Sequence, residues 1–196
     1  ALTTGQIAAL SNTQIAAIAV DDIKALSGAQ IAALSGSQAG ALTSGQIAAL
    51  STSQVAAIEA ADLPSLSTSA IKCLSTAQIV ALTTAQAAAL TAAQVAKIGT
   101  AQLALMETAD IAALTADQIQ LLSTAQVAAL TATQVINLTT AQIAALDGQS
   151  LAALSTSVIP QLTSAQVQAI TQDQIGSLTT AQVRALETAA AGFGSA

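Results

Sequence analysis

The chain repeats itself every eight residues from Leu2 to Phe193, with no insertion or deletion, and that period excludes most ways a polypeptide can fold. Cut in this phase it yields 24 octads with the consensus L-[ST]-x-x-Q-[IV]-A-A. Position 1 is Leu, Ile or Met throughout, position 2 is Ser or Thr in 18 octads, position 5 is Gln in 17, and position 6 is Ile, Val or Leu in 21, so these four positions carry the structural instruction. A continuous α-helix advances about 100° per residue, which leaves a repeat of eight roughly 80° out of phase and winds its leucines around the axis. In a plain strand, positions 1 and 6 have opposite parity and face opposite sides. Each octad must therefore contain a break.

The chemistry of each position says where. Ser or Thr followed three residues later by Gln is a capping box: the hydroxyl accepts from the N3 amide, and the Gln side chain reaches back to the amide of the cap residue. Leu at position 1 and Ile or Val at position 6 stand where a hydrophobic staple places its two apolar partners. The charges agree. All ten acids fall at positions 2, 4 or 5, and all four cations (Lys24, Lys72, Lys97 and Arg184) fall at 7 or 8. Acids in a first turn and bases in a last turn suit a helix dipole. Pro64 and Pro160 both occupy position 7, where a proline is tolerable only near the end of a short helix. Each octad thus reads as one short helical element, α or 3-10, followed by a sharp bend.

One such element cannot stand alone, since isolated helices below about 12–15 residues are marginal in water. Ordering costs roughly 1–2 kcal/mol per residue, and burying one large aliphatic side chain contributes roughly 1.5–3 kcal/mol. Two such side chains per octad suffice only when neighbouring octads stack and share a core, which is the physics of a solenoid. The expectation is an all-α solenoid of about 24 short capped helices over 1–196, with a possible closing cap at 186–196 in which Phe193 covers the last core layer. With aromatics at 1%, that core consists of Leu, Ile, Val and Ala.

A slower rhythm overlies the octads. Position 2 lacks Ser or Thr at Ala19, Glu59, Gly99, Glu107, Asp147 and Glu187. These sites recur in steps of five octads, interrupted once by the single-octad step from Gly99 to Glu107. Either five octads make one superhelical turn, or a forty-residue unit was duplicated, with one extra octad slipped in near 98–106.

Few functional classes survive the composition. The chain has no histidine, and Cys73 therefore has no histidine to activate it as a nucleophile. Position 8 is dominated by Ala, so Cys73 reads as a small buried thiol. No catalytic residue, cofactor site or metal site is expected. Glu59/Asp62, Glu107/Asp110 and Asp21–Asp22 are the acidic spots a cation could use. Calcium wants six to eight oxygens, usually from a loop, and Glu or Asp as alternative N-caps explains them more simply. Net charge is −6 with scattered cations, which gives no footprint for nucleic acid. The longest apolar stretch, IAAIAV at 15–20, falls far short of the ~18 residues a membrane helix needs, and nothing reads as a signal peptide. Asn137-Leu138-Thr139 matches a glycosylation sequon, a pattern frequent by chance. Gly5, Gly28, Gly36 and Gly45 occupy positions 3 and 4, which read as solvent-facing. Position 3 also carries Thr4, Thr52, Thr68, Thr76 and Thr84, hydroxyls not needed for capping. A regular hydroxyl array of this kind is one way to bind ice or another repetitive ligand.

The run LSTAQVAALTATQVINLTTAQIAAL at 122–146 resembles the octapeptide arrays of very large bacterial surface or secreted, adhesin-like proteins. The resemblance implies an extracellular location and a structural role as spacer, stalk or scaffold, with other domains of a longer chain, or protein partners, as neighbours. Ala1, standing as a position 8, implies a piece of such an array. The resemblance transfers no functional residue, because its pattern is the cap and core set itself.

Overall fold

The computed structural model describes residues 2–192, and all regular structure among them is helical. The chain divides into two compact units, Ala1–Ile98 and Gly99–Ala196. The division falls at octad 98–105, the one that interrupts the forty-residue rhythm.

The octad 42–49 shows how the sequence builds one step. Thr43 is extended (φ −72°, ψ 157°) and caps the helix Ser44–Ala49. Its Oγ1 accepts from the Gln46 amide at 3.2 Å, while Gln46 Oε1 accepts from the Thr43 amide at 2.8 Å. Leu50 then returns to extended backbone, its N–H donating to Ile47, and the next cap, Ser51, follows at once. Position 1 is thus the end of one helix and the entry to the next. The bend uses only negative φ, and no described residue adopts a positive φ, so Ser and Thr suffice where many helix ends need glycine.

Through the middle of the array three positions per octad are buried, 1, 5 and 6, with half-buried Asp62 and Gln102 as departures, while in the first octads Leu2, Gln6 and Gln14 are exposed. In each unit the chain returns over itself after three octads. In the first unit, Asn12–Ala17 packs on Gly36–Ala41, Val20–Lys24 on Ser44–Ala49 and Gly28–Ala32 on Thr52–Ala57. In the second, Thr100–Leu105 packs on Thr124–Ala129 and Ala116–Gln120 on Thr140–Ala145. The glutamines tie these layers. Gln46, only 1% exposed, donates from Nε2 to the Ile15 and Ile18 carbonyls at 2.9 and 2.8 Å. Those acceptors lie 31 and 28 residues back, at positions 6 and 1. The same pair of bonds recurs at Gln54, Gln86 and Gln94, and in the second unit at Gln134, Gln166 and Gln174. Helix ends leave carbonyls without intrahelical partners, and each Gln supplies a donor to such an end one layer below. No buried side-chain nitrogen or oxygen among the described residues lacks a partner.

These bonds also settle the forty-residue rhythm. A coil that returns within three to four octads cannot have five octads per turn, so the atypical octads do not align on one face.

Departures from consensus have local causes. Both proline octads form 3-10 helix, Ala60–Ser65 and Ile159–Gln161. Proline removes the N–H that an α-helical bond would use, and the tighter helix fits the shortened pairing. In the first unit, the two helices packing on 60–65 are Gly36–Ala41 and Thr84–Ala89, and both carry Ala at position 6, Ala39 and Ala87. Gly40 makes room as well, since a Cβ there would sit 2.8 Å from the Ser65 carbonyl oxygen. Restoring the consensus by Ala39→Ile is therefore expected to destabilise the chain by about 1–3 kcal/mol through over-packing. A urea midpoint measured against the wild type checks this; a rise would mean that the site is under-filled.

The last two octads do not break. One helix runs Thr180–Gly192, through the point where a bend at Leu186–Glu187 is expected. Octads at 18–25, 58–65 and 106–113 also lack the Ser/Thr and Gln pair, yet they bend, and each keeps a large buried residue at position 6: Ile23, Leu63 and Ile111. Octads 34–41 and 82–89 have Ala at position 6 but keep the cap pair. Octad 186–193 has neither, so nothing turns the helix. Phe193 lies outside the described residues.

Candidate functional site

The outward chemistry of the coil is set by positions 2, 3 and 4, with 7 and 8 at the flanks. Position 2 hydroxyls are committed to capping: Thr43, Thr83, Thr131 and Thr163 each accept an N3 amide at 3.2 Å. In three octads with Ser at positions 2 and 4 the two hydroxyls bond each other, Ser35/Ser37 at 3.1 Å, Ser51/Ser53 at 3.0 Å and Ser155/Ser157 at 2.8 Å.

Position 3 is less open than the sequence implies. Gly5 and Gly45, at position 4, are exposed, but Gly28 and Gly36, at position 3, are half-buried. A Cβ on Gly28 would touch Ala57 at 3.5 Å, and one on Gly36 would approach Ser65 Oγ at 3.2 Å. Position 3 therefore borders a seam with position 8 of the octad three steps on. Gly148 and Ser177 form the same seam in the second unit, where an added Cβ would lie 2.7 Å from that of Ser177. Of the five threonines, Thr68 is half-buried, while Thr4, Thr52, Thr76 and Thr84 are exposed.

The acidic residues divide by side-chain length. Asp147 caps its helix, accepting from the Ser150 amide at 2.6 Å. Glu59 and Glu107 make no side-chain cap bond, which corrects the reading of Glu as an N-cap: the extra methylene carries the carboxylate past the N3 amide. Asp62 is half-buried and Asp110 is 2% exposed, while Glu107 is exposed. Burial, helped by the charge of Glu59, raises the Asp62 carboxyl above its ordinary range. Asp21 pairs with Lys24 at 2.9 Å on the surface, and that bond holds its carboxyl below the ordinary range. Among the described residues, no three His, Cys, Asp or Glu side chains come together as a metal would require.

Cys73 is exposed, contrary to the buried thiol expected from its position. It is the C-cap of Thr68–Lys72, and that end of the octad lies on the flank of the coil. Leu105 and Leu121, also at position 8, are 60% and 54% exposed. At the sequon, Asn137 donates to the Thr133 carbonyl at 2.8 Å, Leu138 is core, and Thr139 caps the next helix. Three recesses stand out. One of about 500 Å³ in the first layer is lined by Leu2, Ile18, Leu26 and Gln30. One of about 430 Å³ is bordered by Thr68, Ser69, Lys72 and Lys97. The third, of about 280 Å³, lies among Val167, Ile175, Val183 and Ala190. No described helix is long and apolar enough to cross a membrane.

What sequence reasoning missed is the second half of each glutamine. Its Oε1 was legible from the spacing to the cap, but its Nε2 partners lie three to four octads away. The available signal was that position 5 keeps Gln in 17 octads, where Glu would serve the capping box equally well.

Capped octads, stacked layers and a glutamine tie define a helical octapeptide-repeat array, a structural repeat protein. The chain belongs to the ALTTAQ repeat family, whose pattern matches residues 15–52, 55–92, 95–132, 103–140 and 143–180. The starts of successive matches follow the rhythm of the atypical octads, five octads at a time with one single-octad step. Comparison with curated proteins and with solved structures gives no match.

Proposed function

We propose that this segment is a non-enzymatic spacer, stalk or scaffold within a larger surface or secreted protein. The observation that carries the reading is the locality of the contacts. The glutamine bonds between layers span 28–31 residues, so octads can be added without altering the core that earlier octads have formed. Length is then a free variable, which suits a part whose task is to separate others. The surface or secreted setting rests on the resemblance to octapeptide arrays alone. A repetitive ligand such as ice has weaker support, because the position 2 hydroxyls are occupied as caps and position 3 borders a packing seam.

Small-angle X-ray scattering on the chain and on versions lengthened by whole octads tests the proposal. A maximum dimension that grows in proportion to octad number supports the spacer. A dimension that stays constant as octads are added removes it.

A further inference from the structure

The chain carries four cations, and two of them border one recess inside the first unit. Lys72 ends the helix Thr68–Lys72, and Lys97 follows the helix Ala92–Val95 that packs against it. Register brings them together. Seams elsewhere join position 3 to position 8 of the octad three steps on, as at Gly28/Ala57, Gly36/Ser65 and Gly148/Ser177. Thr68 and Lys97 stand in the same relation, so Lys97 reaches the recess from across the seam. Lys72 reaches it from the other side, one helical turn beyond Thr68 and Ser69 and therefore on their face.

The polar groups here are uncommitted. Lys24 holds the same octad position as Lys72, and Asp21, three residues before it, answers its charge at 2.9 Å. Three residues before Lys72 stands Ser69, a hydroxyl in place of a carboxylate. Among the described residues, neither Lys72 nor Lys97 pairs with an acid, and no acid borders the recess. Ser69 also departs from its counterparts. Ser37, Ser53 and Ser157 each bond the capping serine of their octad, whereas Ser69 does not bond Ser67, whose oxygen accepts from the Ala70 amide. Thr68, at position 3, takes no part in the cap.

Two ammonium groups facing one recess repel each other, and only an anion that touches both relieves this. A monoanion leaves one charge unanswered. A tetrahedral dianion answers both and keeps oxygens for the hydroxyls. Lysine suits that role, as a compact charge on a flexible stem that can close over a phosphate.

We propose that this recess binds a dianionic phosphate group, with Lys72 and Lys97 as its two countercharges and Thr68 and Ser69 donating hydrogen bonds to its remaining oxygens. Phosphate monoesters carry nearly two charges at neutral pH. At about 430 Å³ the recess has room for the carbon end of an ester beside its phosphate. The inference goes beyond the spacer reading and does not rest on it.

Amide NMR titration of the isotopically labelled chain, at neutral pH and constant ionic strength, tests it with inorganic phosphate, glycerol phosphate and sodium chloride. Saturable shifts are expected at 68–73 and 96–97 with the phosphates and not with chloride. Lys72→Ala and Lys97→Ala each place the consensus alanine at an exposed position, so circular dichroism of both variants should match the wild type. Each is expected to weaken phosphate binding roughly tenfold, the effect of losing one charge-assisted contact. The double variant is expected to lose saturable binding, and Lys24→Ala to keep it. Tighter binding of glycerol phosphate assigns the site to an ester, and tighter binding of inorganic phosphate assigns it to the free ion; either order supports the proposal. Shifts that chloride reproduces, shifts that persist in the double variant, or a wild type that shows no saturable shifts overturn it.

Discussion

Gln46→Glu, a change of one atom type, is expected to destabilise the chain by several kcal/mol at neutral pH. The carboxylate can still accept from the Thr43 amide, but its other oxygen faces the Ile15 and Ile18 carbonyls, now held 2.9 and 2.8 Å from the side-chain nitrogen. The site is 1% exposed, so no water relieves the contact. Losing a partner for a buried polar group costs about 1–3 kcal/mol, and more when a charge is involved. Two carbonyls and one carboxylate are affected here, although Ile15 keeps the Ile18 amide as a second donor.

The sign with pH follows from burial. Desolvation raises the folded-state pKa of the new carboxyl above its unfolded value of about 4.3. Protonated, it regains one donor for one carbonyl. The variant should thus lie closest to wild type below about pH 4 and fall away as pH rises through the raised folded-state value. Urea midpoints at pH 3.5 and pH 7, with exposed Gln6→Glu as the control, check this. Equal losses at both pH values would mean that the Nε2 tie is not the source of the effect.

Deleting 138–141 is expected to split the unfolding of the second unit, while deleting all of 138–145 should leave it cooperative. Gln166 currently donates to Val135 and Leu138, 31 and 28 residues back. Without the full octad, the same separations lead to Val127 and Leu130, again a position 6 and a position 1. With only half an octad removed they lead to Thr131 and Gln134, positions 2 and 5, and four successive octads meet polar side chains where core should be. At about 1–3 kcal/mol for each tie lost, and about 2–4 °C in Tm per kcal/mol for a chain of this size, the half-octad deletion should lower the melting temperature by roughly 10 °C or more. The whole-octad deletion costs about one repeat's share. Calorimetry of both deletions distinguishes register from length; equal losses would show that length alone matters.

Much of this was legible in eight letters. The Ser/Thr-x-x-Gln spacing places the helix starts, and the positions of Leu and Ile place the core, because a first turn and its cap are local events within a single octad. The buried role of Gln Nε2 was not legible, since its acceptors are backbone atoms that carry no sequence signature. Gly40 facing Ser65, and Gly148 facing Ser177, are pairs three octads apart whose meaning appears only when the layers stack. Cys73 was misplaced for a related reason: Ala at position 8 suggests burial, but small residues there serve the seam at the flank as well as the core.

The sequence by itself determined the step: a capped helical turn, two aliphatic anchors and a bend, repeated in phase. Tertiary structure alone decided how many steps close a layer, and with that which polar groups meet. Local chemistry fixes dihedral angles within an octad, but the angle between octads depends on side chains three and four octads away filling one shared core.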